Sequence, residues 1–210
     1  CRDGIALHPH QVVFYYYGGI ALISQEQPLE AIAWFRQGTQ QLTPANDAEI
    51  ASELYAALGD VLYQQGRHRE AFTALDSALV YNPENVNCLN NFAYYLSLSR
   101  TQLTKAAAMS AKAIGIEPDN PTYLDTHAWV LYRQRRYPEA KRYIDKVLDK
   151  IEEAGAPEPE DANLYDHAGD IYFRLRKRRE AIELWRTAQD LATDAKLLRT
   201  LRRKIKNKRI

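Results

Sequence analysis

The sequence predicts an all-α fold, a solenoid of helical hairpins set side by side, and three observations carry that expectation. Apolar residues recur at the 3.6-residue period of a helix along nearly the whole chain, and no period-two run exceeds a few residues. A small residue is followed by alanine twelve positions later at Gly19/Ala31, Gly59/Ala71, Ala128/Ala140 and Gly169/Ala181, with a copy one residue longer at Ala93/Ala106. The nine glycines and nine prolines sit mostly where helices would end.

Taken in order, residues 1–11 lack periodicity and read as a tail or the remnant of a preceding region. The first hairpin covers about 12–44, with Pro28 opening its second helix. Its first helix, VVFYYYGGIALI, is apolar on all sides, which suggests that further hairpins precede it. Residues 45–51 form an insert in which Asn46 or Asp47 can cap the next helix. The second hairpin, about 52–83, is the most regular. The third, about 86–118, carries Ala93 where others have glycine, and its turn at Leu98-Ser99-Arg100-Thr101 is one residue longer.

The fourth hairpin, about 121–150, is capped by Asn120 with Pro121 at its first position, and Pro138 opens its second helix. Leu124, Ala128 and Leu131 form one apolar face there; Ala140, Ile144, Val147 and Leu148 form the other. The small side chains at 128 and 140 let the two backbones approach. A loop at 154–160 leads to the fifth hairpin, about 162–193. Thr193 or Asp194 then caps a basic amphipathic helix over 194–210, whose stripe of Leu197, Leu198, Leu201 and Ile205 suits a terminal cap closing the stack.

Composition narrows the function. The net charge of +1 gives no global field to attract nucleic acid or membrane. The longest apolar run, Val12 to Ile23, is well short of the roughly 20 residues a spanning helix needs. Cys1 and Cys88 are the two cysteines and have no CxxC spacing, so neither a disulfide framework nor a zinc site is expected. With no initiator Met, the chain reads as a processed product or a fragment, and Cys1 can be the acylated first residue of a lipoprotein, or a lipid anchor can lie upstream. His8-Pro9-His10 lacks a third ligand nearby. No GxxxxGK[ST], GxGxxG or HExxH motif occurs, and the five histidines are scattered. No enzyme activity, cofactor or metal is expected.

The hairpins share more columns. Four positions before each small residue stand Tyr15, Tyr55, Leu89, Leu124 and Tyr165; three after it stand Leu22, Leu62, Leu96, Leu131 and Tyr172. The second helices carry Phe35, Leu75, Ile144 and Trp185, and Pro83 and Pro118 close two copies. Spread over residues 12–192 with first members 40, 34, 35 and 41 residues apart, this pattern resembles the tetratricopeptide repeat.

The resemblance implies a right-handed superhelix whose first helices line a concave groove for a partner peptide or protein. Mapped onto this chain, the groove walls are Glu53, Asp60, Tyr63 and Gln64 in the second repeat and Asn87, Asn90 and Tyr94 in the third. The fourth adds Thr122, Asp125, Trp129, Tyr132 and Arg133; the fifth adds Asn163, Asp166, Asp170, Phe173 and Arg174. Aromatics beside amides and charges are what a peptide groove requires. The family's clamp for chaperone C-termini needs a lysine where this chain has Ala56, Asn90, Asp125 and Asp166, so that ligand class is not expected.

The segments NNFAYYLSLSR, NPTYLDTHAWVLYRQRRYPEAKRYIDKVL and GDIYFRLRKRREAIELW also resemble the C-terminal parts of bacterial cell-envelope tetratricopeptide proteins, several of them lipoproteins that act as assembly or protease adaptors. That places periplasm or outer membrane level with cytoplasm as the expected compartment. The expected function is a protein-binding scaffold. The alternative is nucleic-acid or anionic-membrane binding through the last helix, where Lys196, Arg199, Arg202, Arg203, Lys204, Lys206, Lys208 and Arg209 crowd together. No aromatic platform interleaves with those charges, which counts against nucleic acid.

Overall fold

A computed structural model describes residues 1–210, apart from the side chains of residues 2, 3 and 6. The described residues form twelve α-helices and no strand. They are α1 (Arg2–Leu7), α2 (Val13–Ser24), α3 (Pro28–Gln40), α4 (Ala48–Gln64), α5 (His68–Tyr81), α6 (Val86–Leu98), α7 (Leu103–Ile116), α8 (Pro121–Arg133), α9 (Tyr137–Ala154), α10 (Ala162–Arg174), α11 (Arg178–Leu191) and α12 (Ala195–Asn207). A short 3-10 turn, Pro159–Asp161, precedes α10. Two compact units divide the chain, Cys1–Tyr95 and Leu96–Ile210.

Helix starts follow local chemistry. Asp47 Oδ1 accepts the Glu49 N–H at 2.7 Å ahead of α4, and Asp194 Oδ1 accepts the Leu197 N–H at 2.7 Å ahead of α12. Asn120 Oδ1 accepts the N–H groups of Thr122 and Tyr123 ahead of α8. Each cap supplies an acceptor for amides that the first helical turn leaves unpaired.

Helix ends are equally regular. At each hairpin turn one residue takes the left-handed conformation: Glu26 (φ 58°), Gly66 (φ 75°), Arg100 (φ 53°), Arg135 (φ 65°) and Arg176 (φ 64°). The following N–H turns back to the carbonyls of Leu22, Leu62, Leu96, Leu131 and Tyr172, at 2.9–3.1 Å. These are the residues of the column three places after each small residue, so one backbone motif ends all five first helices. The third turn has a second left-handed residue, Gln102 (φ 46°), which absorbs its extra length.

Within the first unit, Tyr15, Leu22, Ile32, Phe35, Leu54, Val61 and Leu62 make one buried core. The hairpins lock through a residue pair sixteen apart. A Cβ added at Gly19 would stand 2.2 Å from the Phe35 ring, and one at Gly59 would stand 2.6 Å from Leu75 Cγ. The missing side chain is what lets the large residue of the second helix seat itself. In the second unit the same spacing sets Gly169 against Trp185, where an added Cβ would lie 2.3 Å from the indole. It also falls on Ala128 and Ile144, both fully buried. At the end of the chain, Leu201 is buried with Trp185 and Ala188, and Leu197 and Ile205 pack on that cluster. The apolar stripe of α12 therefore covers the last hairpin.

Candidate functional site

In the first unit, α2, α4 and α6 border a concave pocket of about 250 Å³. Tyr16, Ile20 and Ile23 come from α2; Glu53, Ala57, Asp60 and Gln64 from α4; Asn87 and Asn91 from α6. Four of these, Glu53, Asp60, Gln64 and Asn87, are positions expected from the sequence to line the groove. They fall together because residues 53, 60 and 64 share one face of α4 at helical spacing. No lysine, arginine or histidine lines the pocket.

Asp60 is the pocket's most unusual group. Its Oδ2 accepts Asn91 Nδ2–H at 3.0 Å, while its Oδ1 is buried and meets no donor among the described residues. Burial pushes its carboxyl up to about 6, the neighbouring charge of Glu53 adds to the rise, and hydrogen bonds from Asn91 and Tyr95 oppose it. Glu53 in turn accepts Asn85 Nδ2–H at 2.9 Å and a hydrogen bond from Tyr16. The other expected residues of this unit lie to the side. Tyr63 stacks on Tyr95 with ring centres 3.8 Å apart, Asn90 is buried with its amide N–H toward Asn91, and Tyr94 is half-buried against Tyr95.

In the second unit the expected residues divide into an internal network and a pocket wall. Asp125 accepts His167 Nδ1–H at 2.9 Å. Burial alone would lower the His167 pKa, but Asp125, with Asp166 and Asp170 nearby, outweighs it and holds the imidazole above its ordinary value. Trp129 is sandwiched between His167 (ring centres 4.0 Å) and Tyr132 (4.6 Å), with the Arg133 guanidinium 5.5 Å from its ring. Trp129 and Tyr132 are 8% and 7% exposed. The aromatic strip that spacing alone suggests as ligand-facing is therefore largely packed, because the histidine of the next first helix covers it.

Asp166 and Asp170 each accept Lys204 Nζ at 2.6 Å, and Asp170 also accepts Trp185 Nε1–H at 3.1 Å. Phe173 packs on Trp185. Tyr132, Arg133 and Arg174 do line a concavity, a pocket of about 240 Å³ shared with Arg100, Leu103, Arg135 and Tyr137. Arg133 is held there by the carbonyls of Ser97 (2.9 Å) and Leu98 (3.2 Å), and Arg174 by the Tyr132 hydroxyl.

Sequence reading missed Lys204, placed among the solvated cations of α12 but in fact 6% exposed. Its spacing inside the stripe, three after Leu201 and one before Ile205, is the signal that could have found it. Two of the scattered histidines have internal partners: His167 has Asp125, and His127 has Ser110 Oγ at 2.8 Å. None of the described residues forms a His, Cys, Asp and Glu cluster able to hold a metal. No described helix is long and apolar enough to cross a membrane.

Comparison with known proteins agrees with this geometry. Tetratricopeptide-repeat family models match residues 52–85 and 122–154. A TPR repeat-containing protein of Pseudomonas aeruginosa is 34% identical over 68 residues, 32% of this chain but 12% of that protein's length. Among solved structures, YrrB, a TPR protein with an unusual peptide-binding site, superposes with a TM-score of 0.68 at 18% identity, over 96% of this chain and 97% of its own. A tetratricopeptide repeat protein from Parabacteroides merdae gives 0.74 at 17% identity, over 98% and 76%. At such identities these structures speak for the fold alone. With two repeats matched in sequence and one turn motif closing every hairpin, the chain is a tetratricopeptide-repeat protein.

Proposed function

We propose that this chain is a non-enzymatic scaffold that holds a segment of a partner protein against its first helices. The observation that carries this reading is that Glu53, Asp60, Gln64 and Asn87, expected from the sequence to be groove positions, line one concave pocket. Tyr132, Arg133 and Arg174 do the same in the second unit. Both pockets mix apolar or ring area with polar groups, the composition that gives a peptide both contact area and orientation. YrrB, similar over nearly its whole length, is described as having a peptide-binding site, which agrees with this reading. Asp125, Trp129, Asp166 and Asp170 act in it as the support that holds the pocket-forming helices together.

Site-specific photocrosslinking tests the proposal. A photoreactive side chain at Gln64, exposed at the first pocket, should capture a discrete protein, whereas one at Arg69, exposed on α5 outside the pocket, should not. Equal capture from both positions would refute groove binding. Binding of RNA or anionic vesicles that falls steeply with salt, with no capture at Gln64, would favour the basic face of α12 instead. That face retains Arg199, Arg202, Arg203 and Lys206 in solvent but has lost Lys204 to α10.

A further inference from the structure

The repeat register sets two aspartates in the same place. Asp60 follows Gly59 in α4, and Asp170 follows Gly169 in α10; each glycine faces the large residue sixteen positions on. In the last repeat this carboxylate is complete: Asp170 accepts the Lys204 ammonium at 2.6 Å and the Trp185 indole N–H at 3.1 Å. A second carboxylate, Asp166, one helical turn away, shares the same ammonium. Lys204 is 6% exposed with its ammonium 5.7 Å from the centre of the Trp185 ring, so its stem is withdrawn from water while its charge is neutralised.

In the second repeat the same carboxylate is incomplete. Leu75 stands in the place of Trp185 and supplies no N–H. The helix after the second hairpin, α6, offers Asn91 and Tyr95, neutral donors both, and Oδ1 of Asp60 meets no donor among the described residues. A second carboxylate again lies on the same helix face, Glu53, two turns before Asp60, and both line the pocket without any cation. Opposite them are Ile20 and Ile23 of α2, apolar wall of the kind a lysine stem lies along. A buried carboxylate with one oxygen unpaired and a like charge beside it is costly to keep, and an ammonium brought by a ligand would offset that cost.

We infer that the pocket of the first unit recognises a lysine side chain of a partner protein, the ammonium seated between Asp60 and Glu53 and the stem along Ile20 and Ile23. The inference rests on the scaffold reading and gives it a chemical class: the partner segment is a lysine flanked by apolar residues. The precedent is chemical and not positional. Lys204 reaches Asp170 from α12, the helix after the last hairpin, whereas α6, the helix after the second hairpin, already fills that place beside Asp60, so the ligand comes to Asp60 from the groove.

Carbon-13 NMR of the Asp60 carboxyl in the full chain provides the test, with the peptides acetyl-Ala-Ile-Lys-Ile-Ala-amide and its norleucine counterpart as probes. Groups facing Asp60 that can also titrate are Glu53 on its own helix, Tyr16 on α2, and Cys88 and Tyr95 on α6. A lysine that binds the ionised carboxylate must lower its titration midpoint. Millimolar lysine peptide should bring the midpoint down from about 6 by roughly one unit or more, and the norleucine peptide should leave it in place. Asp60→Asn, which keeps an acceptor for Asn91, should weaken the lysine peptide at least about tenfold, read from the Ile20 and Ile23 methyl shifts. If both peptides move those methyls equally and the midpoint stays put, lysine recognition is wrong while groove binding stands. If neither peptide perturbs the pocket at all, the inference is overturned, and the photocrosslink at Gln64 decides the scaffold reading separately. Self-association of the chain that disappears in Asp60→Asn would assign the lysine to a second copy and overturn a separate partner.

Discussion

Lys204→Met puts the buried charge cluster of the last repeat to the test. Methionine keeps a flexible side chain of similar length, so the change isolates the ammonium from the packing. Lys204 is 6% exposed and Asp170 4%, and two contacts of 2.6 Å are lost at once. Removing one partner of a buried pair costs about 3–5 kcal/mol, because the carboxylate left behind has no water to replace the lost charge. The apolar hold on α12 is one fully buried leucine, Leu201, with Leu197 and Ile205 half-buried, together worth about 3–5 kcal/mol by burial. The charge loss therefore matches the docking energy, and α12 should come off before the hairpins unfold. Amide exchange along α12 should speed up by about a hundredfold or more at pH 7, with α4 and α5 unchanged.

The pH dependence gives this expectation a sign. Burial pushes the Asp170 carboxyl up and Lys204 holds it down, so the variant's value lies higher still. A carboxyl raised above its unfolded value of about 3.9 contributes stability that is fully present below that value and is lost as pH rises through the folded one. The variant's deficit should be largest near pH 7 and shrink toward pH 4. Wild-type exchange rates in α12 at pH 7, or a deficit that grows on acidification, would refute the argument.

Three further outcomes are expected. Gly169→Ala should lose about 1–3 kcal/mol in denaturant melts despite alanine's better helix propensity, since the new Cβ meets an immobile indole at 2.3 Å; an unchanged midpoint would break the sixteen-residue register. Trp129→Ala should cost about 3–5 kcal/mol, because the ring is stacked on both faces and nearly enclosed; a melt that barely moves would mark it as a ligand surface instead. Asp60→Asn should raise stability by on the order of 1–3 kcal/mol at pH 7.5 and add almost nothing at pH 4 or below. The sign follows from a folded pKa of about 6: that carboxyl's contribution is favourable below about 4 and lost as pH climbs through 6. Equal gains at both pH values would show that Asp60 is not held under electrostatic strain.

What the sequence disclosed and what it withheld separate along one physical line. The hairpins, the glycine columns and the caps at Asn120, Asp47 and Asp194 are local signals, set by contacts within about four residues or by one repeating interval. The pairing of Asp125 with His167 and of Asp170 with Lys204 joins residues 42 and 34 positions apart on different helices, and no interval announces it. Lys204 was hidden for a second reason. A helical pattern read as apolar against polar counts every lysine as solvent-facing, yet a lysine stem is mostly hydrocarbon and follows its charge inward when carboxylates wait there. The groove positions were legible as positions and not as roles. Trp129 and Asp166 face as the repeat dictates, but the next helix in line claims each of them, α10 through His167 and α12 through Lys204.

The left-handed turns set where this chain can be hardened without touching what it recognises. Four of the five are made by Glu26, Arg100, Arg135 and Arg176, side chains that bear a backbone penalty of roughly 1 kcal/mol each that glycine at Gly66 escapes. Glu26 and Arg176 belong to neither pocket wall, so glycine there relaxes the backbone at no cost to the groove. Arg100 and Arg135 stand in the wall of the second pocket, and the same exchange would delete a guanidinium from it. Thermal tolerance and ligand preference are thus negotiated at separate hairpins. An engineer, or a lineage under heat, can raise the first at residues 26 and 176 and leave the second in the keeping of residues 100 and 135.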